Sequence, residues 1–217
     1  MNLKHVVIIT FVVLLILGWG LFIYERLEVR NFKGNLVEKK YDYHGIRIYK
    51  EAPGFELTDQ NNNRVSLSDF KGKLVLISWG FTHCPDICPL ILSRLSNVMK
   101  ELGDLSDNVQ VVFITVDPER DTPSRLKSYI PSFNNRFIGL TGSTEDIEKV
   151  VKSYNAFFIK HPEVYGRGEF DTWDSYQMTH TTKVYLVDQN GRLLFYYPYD
   201  KLESTEIAKD IKRILQR

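Results

Sequence analysis

The chain has two cysteines, and both lie in one hexapeptide, Cys84-Pro85-Asp86-Ile87-Cys88-Pro89. The Cys-x-x-x-Cys spacing differs from the Cys-x-x-Cys of thioredoxin-type redox motifs. If the segment opens a helix, positions i and i+4 share one face, with Cβ atoms ~5–6 Å apart. Two thiolates so placed can grip one metal ion, or close to a disulfide with some adjustment. A helix N-terminus also lowers thiol pKa and favours the ionised sulfur that either chemistry needs. The plainer alternative is a pair of packing cysteines. The flanking prolines and Asp86 make poor core material and weigh against it.

The surrounding pattern supplies the elements that must position such a pair. Lys73 to Trp79 is a nearly continuous apolar run, as in a buried central strand, and Gly80-Phe81-Thr82-His83 turns out of it. The cysteine motif then opens a helix reaching about Leu102, with Leu90, Ile91, Leu95, Val98, Met99 and Leu102 at helical spacing. Ahead of it, Phe55–Thr58 and Arg64–Leu67 flank a turn-rich Asp59–Asn63 and predict a hairpin. Val109–Val116 reads as a second buried strand ending at Asp117-Pro118-Glu119-Arg120-Asp121-Thr122-Pro123. Thr122 or Ser124 is placed to cap a short helix through Tyr129, and Ser143 to cap another ending near Tyr154. Ala156–Thr179 reads as a long, irregular, aromatic loop. Lys183–Val187 is a third strand, Asn190-Gly191 turns the chain into Leu193–Tyr197, and Glu203–Leu215 closes as an amphipathic helix. This order predicts an α/β, thioredoxin-like fold: a central mixed sheet flanked by helices, with the dithiol at the C-terminal end of a central strand, where open α/β sheets carry their chemistry.

In thioredoxin-like proteins a cis-proline precedes the strand of the closing hairpin and lies against the cysteines. Here His180 stands before Thr181-Thr182-Lys183-Val184-Tyr185, so the fold would aim an imidazole at Cys84 and Cys88. Two thiolates and an imidazole form a soft, three-donor set suited to Cu(I), or to Cu(II) with a further oxygen. Structural zinc would want four ligands, and a fourth is not evident. The alternative for His180 is a histidine satisfied by backbone contacts. His83 points off the thiolate face and reads as part of the turn, His161 is a weaker ligand candidate in the long loop, and His44 falls in the tether. Met178 offers a thioether but reads as packing. Asp117, at the end of the neighbouring strand, could orient His180 or a loop amide, or could simply be a turn residue. Thr82 precedes Cys84 by two residues, where peroxiredoxins place theirs three before, so a peroxidase is a poor fit.

Composition bounds the rest. A formal net charge of +1 excludes a nucleic-acid-scale basic field, and 43% hydrophobic residues suffice for a core. Val6–Tyr24 is an uncharged run long enough to span a bilayer, giving an expected transmembrane anchor at residues 6–24, a tether at 25–45 and a domain at 46–217. The run exceeds a signal-peptide core, and no small-x-small cleavage pattern follows it. Arg26, Arg30 and Lys33 after the span would, by charge count, hold the domain inside. The dithiol argues instead for the outer side.

Taken together, Gly80-Phe81-Thr82-His83-Cys84-Pro85-Asp86-Ile87-Cys88-Pro89, Val116-Asp117-Pro118-Glu119-Arg120-Asp121-Thr122 and His180-Thr181-Thr182-Lys183-Val184-Tyr185-Leu186-Val187 resemble the Sco (SenC/PrrC) family of membrane-tethered copper proteins. The resemblance covers the span and nearly all of residues 46–217. It implies a thioredoxin-like fold, one copper held by Cys84, Cys88 and His180, and Asp117 as the counterpart of the family's Asp. It also implies a role in delivering copper to the binuclear site of cytochrome c oxidase subunit II, or in reducing that site's cysteines, alongside other copper chaperones or thiol–disulfide proteins. The expected setting is a bacterial inner membrane with the domain facing the periplasm, or alternatively a mitochondrial inner membrane facing the intermembrane space.

Overall fold

The structure, a computed structural model, describes residues 17–20, 43–161 and 176–216. The chain divides into two compact units, Met1–Asp42 and Tyr43–Arg217. In the first, residues 17–20 are helical, and the rest of the expected 6–24 span lies outside the described residues. Among the described residues, no helix is long and apolar enough to cross a membrane.

The second unit is built on an eight-stranded mixed sheet. Its strands are β1 (Ile46–Glu51), β2 (Glu56–Asp59), β3 (Arg64–Ser66), β4 (Leu74–Gly80), β5 (Val109–Thr115), β6 (Ile138–Thr141), β9 (Val184–Val187) and β10 (Arg192–Tyr197), and a separate ribbon pairs β7 (Phe158–His161) with β8 (Gln177–His180). Strand order across the main sheet is β1-β10-β9-β4-β5-β6-β2-β3. β4, β5 and β6 run parallel, and the remaining neighbours are antiparallel. Helices α1 (Ile87–Leu102), α2 (Pro123–Tyr129), α3 (Thr144–Ser153) and α4 (Ser204–Leu215) cover the two faces.

Strand alternation explains the layering. Every residue of β4 is buried, and successive side chains point to opposite faces. Leu74 and Leu76 join Val111, Phe113, Leu186 and the apolar stripes of α1 and α4. Val75, Ile77 and Trp79 join Val112, Ile114, Tyr185, Ile147 and Val151 on the other side, with α3. A strand buried on both faces must read as a continuous apolar run, which is how β4 appears in the sequence. The caps also behave as their residue types require: the Thr122 Oγ1 accepts from Arg125 N, and the Ser143 Oγ from Asp146 N.

Three differences from the sequence expectation matter for the site. Ile46–Glu51 and Ile138–Thr141 are strands that complete the sheet at β10 and β5. The ends of the segment expected as an irregular loop pair as an antiparallel ribbon, with Phe158 opposite His180 and His161 opposite Gln177. The expected tether boundary at residue 45 also moves. His44 N and Gly45 N donate to the buried Asp210 carboxylate of α4 at 3.1 and 2.9 Å, while Tyr43 packs its ring 4.8 Å from Phe195. His44, expected in the tether, further contacts Glu203 and the Lys201 carbonyl. Tyr43–Gly45 therefore belong to the folded unit.

Candidate metal and dithiol site

The sulfurs sit where β4 gives way to α1. Cys84 N donates to the Phe81 carbonyl, closing a turn that delivers Cys84 just ahead of the helix. Cys88, in the first turn, is fully buried, and its backbone N–H points at Cys84 Sγ across 3.5 Å. Both cysteines are free thiols. Gly80 makes this approach possible: a Cβ there would lie 3.0 Å from Cys88 Sγ and 2.7 Å from Phe113. Any larger residue there would have to displace the ring and the sulfur.

The two thiols divide their ionisation unevenly. Donation from the Cys88 thiol holds Cys84 well below the ordinary thiol range, and His180 and the helix backbone act in the same direction. Cys88 is driven upward, first by giving its proton to Cys84 and then by burial. The pair thus rests as a half-exposed Cys84 thiolate beside a buried Cys88 thiol.

His180 ends β8 and brings its Nε2 to 3.3 Å from Cys88 Sγ. Its Nδ1 lies 2.8 Å from the Thr181 carbonyl, which can only accept, so Nδ1 carries a proton. Phe81 packs edge-on against the ring at 5.9 Å. The base of the ribbon is fixed by Thr181, whose N–H donates to the Phe157 carbonyl and whose Oγ1 accepts from Phe157 N.

Among the described residues, no three His, Cys, Asp or Glu side chains are already gathered as a metal cage. One pair of donors nevertheless already stands at a spacing that suits a shared ion. An ion bound ~2.3 Å from sulfur and ~2.0 Å from nitrogen sets those donors roughly 3.3–3.7 Å apart. Cys88 Sγ and His180 Nε2 already stand at 3.3 Å.

The other sequence candidates fall around this core. Asp117 is buried, and its carboxylate takes Arg120 and the Tyr176 hydroxyl, while the proton-bearing nitrogen of His180 is held by Thr181. Its partners are thus Arg120 and Tyr176, and the His180 ring is held by Thr181. His83 turns to Thr82 Oγ1 and Asp121. His161 bonds Thr179 on the ribbon, and Met178 packs on the core cluster beneath it.

Asp121 was not evident from the sequence. Fully buried, it accepts from Thr82 N, Thr82 Oγ1 and Thr115 Oγ1 at 2.9, 2.6 and 2.7 Å, tying the turn before Cys84 to the end of β5. Burial raises its pKa despite these donors. A carboxylate placed between a turn and a helix cap carries no spacing signal that would separate it from an exposed turn residue.

A dithiol at a helix N-terminus, faced by an imidazole where thioredoxin-like proteins carry proline, marks a distinct class within the thioredoxin-like α/β proteins. Residues 47–216 match the SCO1/SenC family, and the chain belongs to it. An SCO2-like protein of Rickettsia conorii is 34% identical over 201 residues, which cover 91% of this chain and 92% of the relative. The copper-bound structure of Bradyrhizobium japonicum ScoI is 40% identical, with a TM-score of 0.66 over 76% of this chain and 99% of that one. BsSco, described as a Sco-family cytochrome c oxidase assembly protein with a disulfide switch, is 27% identical with a TM-score of 0.58, covering 78% of this chain and 95% of its own.

Proposed function

We propose that this protein is a membrane-anchored copper chaperone. It binds one copper ion through Cys84, Cys88 and His180 and passes it to the binuclear copper site of cytochrome c oxidase subunit II. The observation that carries the reading is the 3.3 Å approach of His180 Nε2 to Cys88 Sγ, with Nδ1 held 2.8 Å from a backbone carbonyl. Such a carbonyl partner is the usual support of a metal-ligating histidine. The donor set suits copper as cargo: thiolates favour Cu(I), and the imidazole adds a donor for Cu(II). The uncharged run at residues 6–24 serves as the anchor. The proposed location is a bacterial inner membrane, with the domain on the periplasmic side.

Titrating the full, reduced chain with Cu(I) and Cu(II) should give one ion per chain. His180→Ala should weaken Cu(II) binding by at least about a hundredfold, more than the ~10–100-fold typical of losing an outer-shell partner. Unchanged affinity in that variant would remove His180 from the site and end this reading.

The uneven thiol pair supports a second reading, reduction of the target's cysteines. In it the Cys84 thiolate attacks a disulfide and Cys88 resolves the mixed intermediate. Exchange with a metal-free target disulfide that persists in His180→Ala would favour it over copper delivery.

A further inference from the structure

The imidazole and the sulfurs belong to parts of the molecule with very different support. Cys88 is packed into the main core on β4 and α1. His180 stands at the end of a ribbon with only four residue pairs. A two-stranded ribbon is marginal by itself, and a slip of one residue would carry His180 ~3.3 Å along the strand and turn its ring to the opposite face. Something outside the ribbon must hold its register.

Arg120 occupies the position from which this can be done. Its Nε donates to the Asp117 carboxylate, and its Nη1 donates to the Tyr176 carbonyl at 3.2 Å, immediately before β8. The guanidinium lies 3.6 Å from the centre of the Tyr176 ring, and the Tyr176 hydroxyl closes the circuit by donating to Asp117. On its other side the same guanidinium lies 5.8 Å from the Phe81 ring, which meets His180 edge-on. Tyr176, Met178 and His180 alternate along the chain and share one face of the ribbon. Beside this, Lys160 of β7 bonds Glu119 at 2.6 Å and lies 4.0 Å from the Tyr176 ring, so both strands are gripped from the same loop.

The energetics point the same way. The side chains of Arg120 and Asp117 are 7% and 2% exposed. A buried ion pair gains little net stability over apolar residues of the same shape, so global stability alone does not account for this one. Its planar fork does fix geometry, which a flexible ammonium cannot reproduce.

We propose that Arg120 is a positioning residue for His180, holding the register of the β7–β8 ribbon through Tyr176 and the placement of the imidazole through Phe81. The proposal rests on the copper reading only for its spectroscopic arm. The contacts of Arg120 with Asp117, Tyr176 and Phe81 give it a positioning role and not that of a ligand.

Two variants test it in the full, reduced chain. Arg120→Lys keeps the charge on Asp117 without the fork. The paired change Asp117→Asn with Arg120→Gln removes both charges, so a folded protein remains available should Arg120→Lys misfold. In metal-free protein, amide exchange across β8 should quicken at least tenfold in both, with the amides of β4 and β5 unchanged. With Cu(II) added, the nitrogen coupling in the electron paramagnetic resonance spectrum should weaken or split into more than one species, and copper release should speed at least tenfold. Ribbon protection and a Cu(II) signal both matching the native protein would overturn the proposal. If the native protein lacks a nitrogen-coupled signal while ribbon exchange still responds to Arg120, the copper reading fails and the positioning role stands.

Discussion

Replacing Gly80 by alanine tests how tightly the sulfur is seated. A Cβ at Gly80 would meet Phe113 Cε2 at 2.7 Å and Cys88 Sγ at 3.0 Å, against ordinary contact from 3.4 Å. The ring must therefore retreat by about 0.7 Å and the sulfur by about 0.4 Å, the shortfalls of those two distances. Phe113 is 1% exposed and packs against the Tyr129 ring at 6.3 Å, so it has little room to yield. Overpacking of this kind costs about 1–3 kcal/mol. In a domain of this size each kcal/mol moves the melting temperature by about 2–4 °C, so a fall of roughly 2–12 °C is expected. The sign opposes the usual outcome of Gly→Ala at a compatible site, a gain of about 0.4–1 kcal/mol from the unfolded state. Displacing Cys88 Sγ would also disturb its 3.3 Å contact with His180, so copper should leave the variant faster. Calorimetry of the reduced, metal-free full chain measures the first effect, and transfer of Cu(I) to a competing chelator measures the second. A melting temperature unchanged or raised, with native release kinetics, would refute the steric argument.

Further outcomes are expected at the thiols and at the buried acid. Iodoacetamide should label the half-exposed Cys84 thiolate first, still reacting below neutral pH, with Cys88 at least tenfold slower, as peptide mass spectrometry would show. Equal labelling rates would contradict the uneven ionisation. Asp121 holds its proton longer folded than unfolded, because burial raises its pKa. Its contribution is therefore fully present below the ordinary carboxylate range and is lost as pH rises through the folded value. Asp121→Asn should remove that slope, so the native protein's stability relative to the variant should fall as pH rises above the ordinary carboxylate range in urea titrations, and parallel curves would count against it.

The elements legible in the sequence are those whose local signals and burial agree. The run Leu74–Gly80 is apolar because it is buried on both faces, and α1 shows helical spacing because one stripe meets the sheet. The hairpin turn at Asp59–Asn63 was readable from residue type: Asp59 Oδ1 accepts from Asn61 N and Asn63 N, and Asn62 takes a positive φ. The ribbon was not readable. Phe158-Ile159-Lys160-His161 does not alternate cleanly, and its support comes from Thr181, Glu119 and Arg120, distant in sequence. β6 carries a glycine where a strand would ordinarily have a side chain, because Ile130 packs against that backbone. Within the site, the two sulfurs announced themselves by rarity and spacing. Asp121 and Arg120 sit in a charged turn whose composition matches any solvated loop, and only the fold shows them buried.

The clamp on Tyr43–Gly45 sets a limit for anyone trimming the chain to its larger folded unit. Asp210, 1% exposed, accepts from His44 N, Gly45 N and Tyr197 Oη, with Arg213 nearby. A cut at Ile46 would take away two of those donors and leave the carboxylate desolvated and undersupplied, at about 1–3 kcal/mol for each lost bond. A fragment starting at or before Tyr43 keeps both amides and the aromatic lid over Phe195, so the first usable residue is dictated by a helix at the far end of the sequence.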